Sequence, residues 1–292
     1  MSEFAIVTDS NVDIPEVLKE KFDFLCLPMP IFISGYDIDN TKPMKESMTF
    51  DVFYDLMRKN EITTTTSLVN TVSFLNEFTP LLEEGKDILC IAFSSGLSGT
   101  YSAALVAQKE LQDKFPDRKI YVVDSLCASL GGGLLNYCAL TMQSEGKDID
   151  TVYKWVEDNK LKICHYFTVD DLVYLKRGGR LSAAQALIGG MLGVKPLLRV
   201  GNDGKLEPCG KAKGRKNAIL DIIKYMEKSI VNPQEQTIFI SHADTLSEAE
   251  MLAGLVKEKF NPKEIYIDFI PPNIGSHSGP GTIAIFYFAK GR

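Results

Sequence analysis

Two hydrophobic periods alternate along the first half of the chain. Phe4-Ala5-Ile6-Val7 is a short apolar run closed by Thr8-Asp9-Ser10 and reads as a buried strand, after which Pro15 opens a helix through Lys21. Phe50, Phe53, Tyr54 and Met57 recur at helical spacing, so one face of that helix packs inward. Ile88 to Phe93 is a second strand. It runs through Ser94-Ser95-Gly96-Leu97-Ser98-Gly99-Thr100 into a helix with Tyr101, Ala104, Leu105 and Gln108 on one side. Ile120 to Val123 is a third strand, closed by Asp124-Ser125. Strand, polar loop and helix in repetition predict a parallel sheet with flanking helices, a Rossmann-like arrangement.

The second half has a different rhythm. Lys162 to Val169 reads as a strand, and Pro196 to Val200 and Lys205 to Cys209 flank the turn Gly201-Asn202-Asp203-Gly204 as a hairpin. Two amphipathic helices follow, marked by Ile219, Ile222, Ile223, Met226 and Ile230 and then by Ala249, Ala253, Val256 and Phe260. Strands at Thr237–Ser241, Ile265–Ile270 and Ile283–Ala289 surround the second helix. The expectation is an α/β protein of two domains: 1–160, a parallel α/β unit ending after the Trp155 helix, and 161–292, an α+β unit with a mixed or antiparallel sheet. A length of 292 residues suits two domains.

Composition narrows the function. With 45% hydrophobic and 24% charged residues, disorder, collagen and coiled coil are excluded as whole-chain descriptions. Thirty-two basic against 38 acidic residues give −6, which argues against nucleic acid or an anionic membrane as a non-specific partner. Cys26, Cys90, Cys127, Cys138, Cys164 and Cys209 form no C-x-x-C pair, and His165, His242 and His277 show no metal-ligand spacing. No metal or cofactor is expected. No signal peptide or membrane-spanning stretch is read, Leu126 to Leu140 being too short, so the expected location is cytoplasmic.

The loop Ser94–Thr100 is the most informative segment. Hydroxyls and free N–H groups at a helix N-terminus favour an anion, although a glycine-rich N-cap with no ligand has the same sequence. Thr63 to Ser67 reads either as an extended connector before a helix cap or as hydroxyls facing Ser98, neutral donors suited to a carboxylate. His277 lies in the glycine-rich Gly275–Gly281 loop with little apolar cover and is a functional candidate, whereas His165, within a strand, reads as structural. Asp9 and Asp124 each read as the cap of the next helix. Lys211, Lys213, Arg215 and Lys216 form a basic cluster, either a solvated face or a contact for an acidic partner or phosphate. Gly96-Leu97-Ser98-Gly99-Thr100 also approaches a nucleophile elbow. That gives a serine acyl hydrolase as the alternative, with Ser98 as nucleophile, His277 as base and Asp268 as the available third member.

Taken in order, Ile6-Val7-Thr8-Asp9-Ser10, Thr66-Ser67, the Ser94–Thr100 loop, Val123-Asp124-Ser125, Phe167 to Ser182, Leu192 to Leu197 and Gly275 to Gly281 resemble the DegV family across nearly the whole chain. The resemblance implies a bacterial fatty-acid-binding protein of the FakB type, a carrier without chemistry of its own. It encloses a long-chain fatty acid between two α/β domains and presents it to a fatty acid kinase, for acyl-phosphate formation in phospholipid synthesis. It makes Thr66, Ser98 and His277 the carboxylate-binding group, with Ser67 beside them. A family arginine implicated in the kinase step falls on Lys213, with Arg215 nearby. Leu68-Val69 stand where the family usually has Gln-Pro. Ala183 to Leu192 supplies small and flexible apolar side chains suited to an acyl channel, or equally to a core.

Overall fold

The computed structural model describes residues 3–180 and 193–292. The stretch expected to line an acyl channel, Ala183–Leu192, lies outside them.

Strands β1 (Phe4–Asp9), β2 (Leu25–Leu27), β5 (Asp87–Ala92) and β6 (Ile120–Asp124) form a parallel sheet in the order β2-β1-β5-β6. All six residues of β5 are buried, as a central strand covered on both faces requires. Helices α3 (Thr71–Glu83), α4 (Thr100–Lys114), α5 (Leu130–Ser144) and α6 (Ile149–Asn159) accompany this sheet. A second sheet, order β11-β10-β12-β7-β8-β9, comprises β7 (Ile163–Thr168), β8 (Val194–Val200), β9 (Leu206–Lys213), β10 (Thr237–His242), β11 (Glu264–Phe269) and β12 (Ile283–Phe288). Only β10 and β11 run parallel within it, so the sheet is mixed.

The two-residue period of β12 assigns its faces. Ile283, Ile285 and Tyr287 pack against α8 (Arg215–Ser229) and α9 (Leu246–Phe260), in a core with Ile219, Ile222 and Val256. The alternate residues Ala284 and Phe286 join the core of the first half. Helix α5 lies against β7, β10 and β12, with Tyr137 and Phe239 rings 5.7 Å apart, so the two sheets share apolar interior. Gly131 permits this approach. A Cβ there would overlap the imidazole of His165, whose Nδ1 engages Ile163 O while Nε2 accepts from Ala128 N. Among the described residues no helix is long and apolar enough to cross a membrane.

Several local expectations are corrected. The first helix, α1, is only Glu16–Lys19, and the chain continues through turn bonds from Lys21 N and Phe22 N. The buried face of α4 is Thr100, Ala103, Ala104, Ala107 and Leu111, with Tyr101, Leu105 and Gln108 half-buried beside it. Three alanines let that helix backbone sit close to the sheet, which large side chains would prevent. The threonine run is no connector: Thr64–Thr66 is a strand, β4, paired antiparallel with β3 (Ile31–Ile33), and Ile31 faces Thr66. Half of the predicted glycine-rich loop is helical, His277 lying in α10 (Pro272–Ser278), which Pro272 starts and Gly279, at φ 82°, stops.

Neither Asp9 nor Asp124 caps a helix. Asp9 accepts from Asn11 N at 3.0 Å and Phe93 N at 2.8 Å, and Asp124 from Ser95 N and Leu126 N. Each carboxylate ties the end of its own strand to the loop leaving β5. Burial pushes the Asp9 carboxyl up to about 6, against the pull of those N–H donors. The loops at the carboxyl ends of this sheet are thereby held in place.

Candidate functional site

The carboxyl ends of the first sheet face the inner side of the second across a cavity of about 370 Å³. Loops after β1, β5 and β6 contribute Asn11, Phe93, Leu97, Ser98 and Ser129, and the second sheet contributes Phe167, Val200, Ala284 and Phe286. Crevices at strand carboxyl ends are the usual ligand sites of parallel α/β sheets.

One part of the wall is a closed ring of contacts between segments far apart in sequence. Thr66 Oγ1, at the end of β4, lies 2.8 Å from His277 Nε2 on α10 (Pro272–Ser278). Gly178 sits over the same imidazole so closely that a Cβ would overlap Nδ1. Helix α7 (Val173–Arg177) leads into this glycine, and Arg180 follows, donating from Nε to Leu97 O at 3.2 Å and from Nη1 to Gly178 O. Ser98 Oγ is 3.0 Å from Thr100 Oγ1, and Thr100 Oγ1 in turn accepts from Val69 N, three residues after Thr66. Thr66, Ser67, Ser98, Arg180 and His277 all line the cavity, Ser67 at its exposed edge.

The ring offers an anion several neutral donors and one cation, Arg180, on the same wall. Burial, with the positive charge of Arg180 nearby, lowers the His277 imidazole to about 4, so it is neutral at pH 7. The N-terminus of the 15-residue α4 begins two residues after Ser98 and adds partial positive charge. Two buried atoms here, His277 Nδ1 and Ser278 Oγ, have no hydrogen-bond partner among the described residues. The polar wall groups elsewhere are matched with one another. Asn11 Oδ1 accepts from Asn273 Nδ2, Ser129 and Ser241 hydroxyls lie 3.2 Å apart, and Thr282 donates to Ser278 O and Gly279 O.

Thr66, Ser67, Ser98 and His277 are therefore brought to one cavity. Lys213 and Arg215 are not among its lining residues. Lys213 ends β9 and is exposed. Arg215 starts α8, where Nε and Nη2 donate to Glu248 and Nη2 also to Gly281 O, while Nη1 lies 3.7 Å from Asp170 with no hydrogen bond among the described residues. The couple expected of an acyl hydrolase does not form. Ser98 pairs with Thr100 and His277 with Thr66, while Asp268 accepts from Glu16 N at 2.6 Å and Phe269 N at 2.7 Å. Sequence reasoning passed over Arg180 and Gly178 as site residues. The signal was the Lys176-Arg177-Gly178-Gly179-Arg180 segment, whose first glycine is needed for close approach to His277.

An α/β protein with a mixed second sheet and a largely apolar cavity at the carboxyl ends of its first sheet is the class that fold and site define. A family model described as "Uncharacterised protein, DegV family" matches residues 3–290. A DegV domain-containing protein of Clostridium perfringens is 46% identical over 98% of this chain and 98% of its own. The chain belongs to the DegV family. Among solved structures, DegV of Bacillus subtilis, described as a fatty acid binding protein, is 28% identical with TM-score 0.83, covering 99% of this chain and 100% of that one. A DegV family protein of Thermus thermophilus, whose structure is described as showing fatty acid binding, is 27% identical with TM-score 0.84 and coverages of 98% and 99%. A DegV lipid binding protein of Thermotoga maritima has 26% identity, TM-score 0.84 and coverages of 99% and 99%.

Proposed function

We propose that the chain binds a long-chain fatty acid in this cavity and presents its carboxylate to a fatty acid kinase, performing no chemistry itself. Thr66 and Ser98 donate hydroxyls to the carboxylate, His277 donates from Nε2 to Thr66 Oγ1 and so turns the Thr66 hydroxyl toward the ligand, and Ser67 flanks the mouth. Arg180 supplies the cationic field. Residues 1–160 provide the hydroxyl-bearing loops, and 161–292 provide His277 and most of the cover over the acyl chain. Lys213, exposed at the end of β9, is the candidate contact for the kinase or its phosphate, since Arg215 is held by Glu248.

The observation that carries this reading is where the buried polar groups of the cavity wall lack partners. Its polar wall groups are self-satisfied except around His277, and the remainder presents Phe93, Phe167, Val200 and Phe286 to a ligand. A saturated wall suits methylenes, and an unsatisfied corner suits a single polar head. Enclosing about sixteen methylenes at roughly 0.8 kcal/mol each gives a gross term near ~13 kcal/mol before ordering costs.

Titration of the delipidated protein with a long-chain acid and with the alcohol of equal length tests the head-group assignment. The acid is expected to bind at least about tenfold tighter, and Arg180→Gln to narrow that gap, because a charge-assisted contact contributes more than a neutral one. Equal affinity for acid and alcohol would remove the carboxylate from the account.

A further inference from the structure

Beyond the head-group ring, the cavity wall carries one further pair of hydroxyls. Ser129, immediately before α5, and Ser241, on β10, both line the cavity, and their Oγ atoms lie 3.2 Å apart. Both residues are buried, Ser241 completely. Each oxygen is partnered by the other and, among the described residues, by nothing else. Two hydroxyls carry two donor hydrogens, however, and a single bond between them uses only one. The pair therefore keeps a second hydrogen without an acceptor, beside the apolar Phe167, Ala284 and Phe286.

Strand register places the pair part-way along the cavity. Helix α10, which carries His277, is fixed at the head-group end by Tyr54 of α2 (Phe50–Arg58), whose hydroxyl donates to Ile270 O at 2.6 Å. Thr282 donates to Ser278 O, next to His277, and Ala284 and Phe286 follow it along the cavity face of β12 at the two-residue period. Ser241 pairs with Ala284, one such step, about 7 Å, beyond Thr282. Phe286, a step further on, faces His165 and Phe239 on the neighbouring strands.

The backbone gives an independent sign. Ser129 adopts φ 53° and ψ −148°, a region that glycine enters freely and other residues seldom do. Glycine would make the turn into α5 with less strain. What serine adds at this position is its hydroxyl, held against Ser241.

We infer that the Ser129–Ser241 pair recognises an oxygen substituent on the acyl chain, so that the preferred ligands are long-chain fatty acids bearing a hydroxyl or keto oxygen part-way along. The inference rests on the acyl reading of the cavity. A ligand hydroxyl accepts the spare hydrogen and donates to the serine that gives none, closing a ring of three hydroxyls in which each donates once and accepts once. A methylene at the same place leaves that hydrogen without an acceptor.

The test is a series of stearate derivatives with one hydroxyl moved from the third to the twelfth carbon, titrated into the delipidated protein against stearate itself. At one position the hydroxy acid is expected to bind at least about threefold tighter than stearate. At distant positions it is expected to bind more weakly, because the hydroxyl then meets apolar wall. The keto acid of the preferred position is expected to keep the gain, since its oxygen accepts. In Ser129→Ala/Ser241→Ala the preference is expected to vanish while stearate binds at least as well as before. Ser129→Gly/Ser241→Ala serves if that variant does not fold, because glycine suits the backbone there. A wild type in which no position gains over stearate, or a gain that survives loss of both hydroxyls, overturns the proposal. A keto acid without the gain overturns the serines' role as donor. A wild type that binds neither stearate nor any derivative overturns the acyl reading beneath it.

Discussion

Replacing both Thr66 and Ser98 by alanine is expected to weaken fatty-acid retention by about 1–3 kcal/mol, or roughly 5- to 150-fold, while leaving the fold intact. The two hydroxyls come from opposite sides of the ring, Thr66 from β4 and Ser98 from the loop after β5. Each is partnered within the protein, by His277 and Thr100 respectively; Thr100 Oγ1 keeps its bond from Val69 N, while His277 Nε2 loses its partner. The loss should fall on the ligand, and its measure is the ratio of dissociation constants for one acid in variant and wild type, with the denaturation midpoint as a folding control. Full retention of the acid by the double variant would separate these hydroxyls from the head group. A serine-reactive probe on the wild type tests the alternative chemistry: Ser98 is expected to stay unlabelled, because its hydroxyl pairs with Thr100 and, among the described residues, with no histidine or carboxylate.

The second large effect is expected at Gly178, which touches no ligand. A Cβ at this position would overlap His277 Nδ1, so Gly178→Ala must push the imidazole away from Thr66 or move the chain after α7. Overpacking of this kind costs about 1–3 kcal/mol of stability, and here the strain falls on the carboxylate site. Gly178→Ala is expected to lower both the denaturation midpoint and the affinity for the acid. Gly179, one residue on, has no atom of the described residues beyond its chain neighbours within 4 Å of the corresponding Cβ but adopts φ 69°. Alanine there is strained through the backbone and should lower stability with less effect on binding. If the two glycine variants bind acid equally, His277 is not held in place by the contact described.

Much of this arrangement was legible from residue order, for physical reasons that differ between elements. The parallel sheet was readable because β1 and β5 open on apolar runs, a pattern that follows from burial on both faces, and the edge strand β6 repeats it in Ile120 to Val123. Ser98 was readable because a strand, a glycine-bearing polar loop and a helix stand in immediate succession. Thr66 was ambiguous, since its partner strand is only Ile31–Ile33 and lies more than thirty residues upstream, where no local period announces a pairing. The position of His277 in a helix was hidden by its glycines and serines, whose weak helical preference is overridden by Pro272 and by packing. Arg180 could not be assigned to the site because its role depends on a contact with Leu97, 83 residues away. The face of α4 was misread for a related reason. Alanines are poor hydrophobic markers, yet they form its buried side where helix and sheet approach closely.

The most direct test of the central claim is denaturing extraction of the purified protein, followed by mass spectrometry of the small molecules released. A near-stoichiometric long-chain fatty acid is expected, depleted in the Thr66→Ala/Ser98→Ala double variant. A folded wild-type sample that yields no lipid, or yields a phosphorylated polar metabolite in its place, would contradict the account.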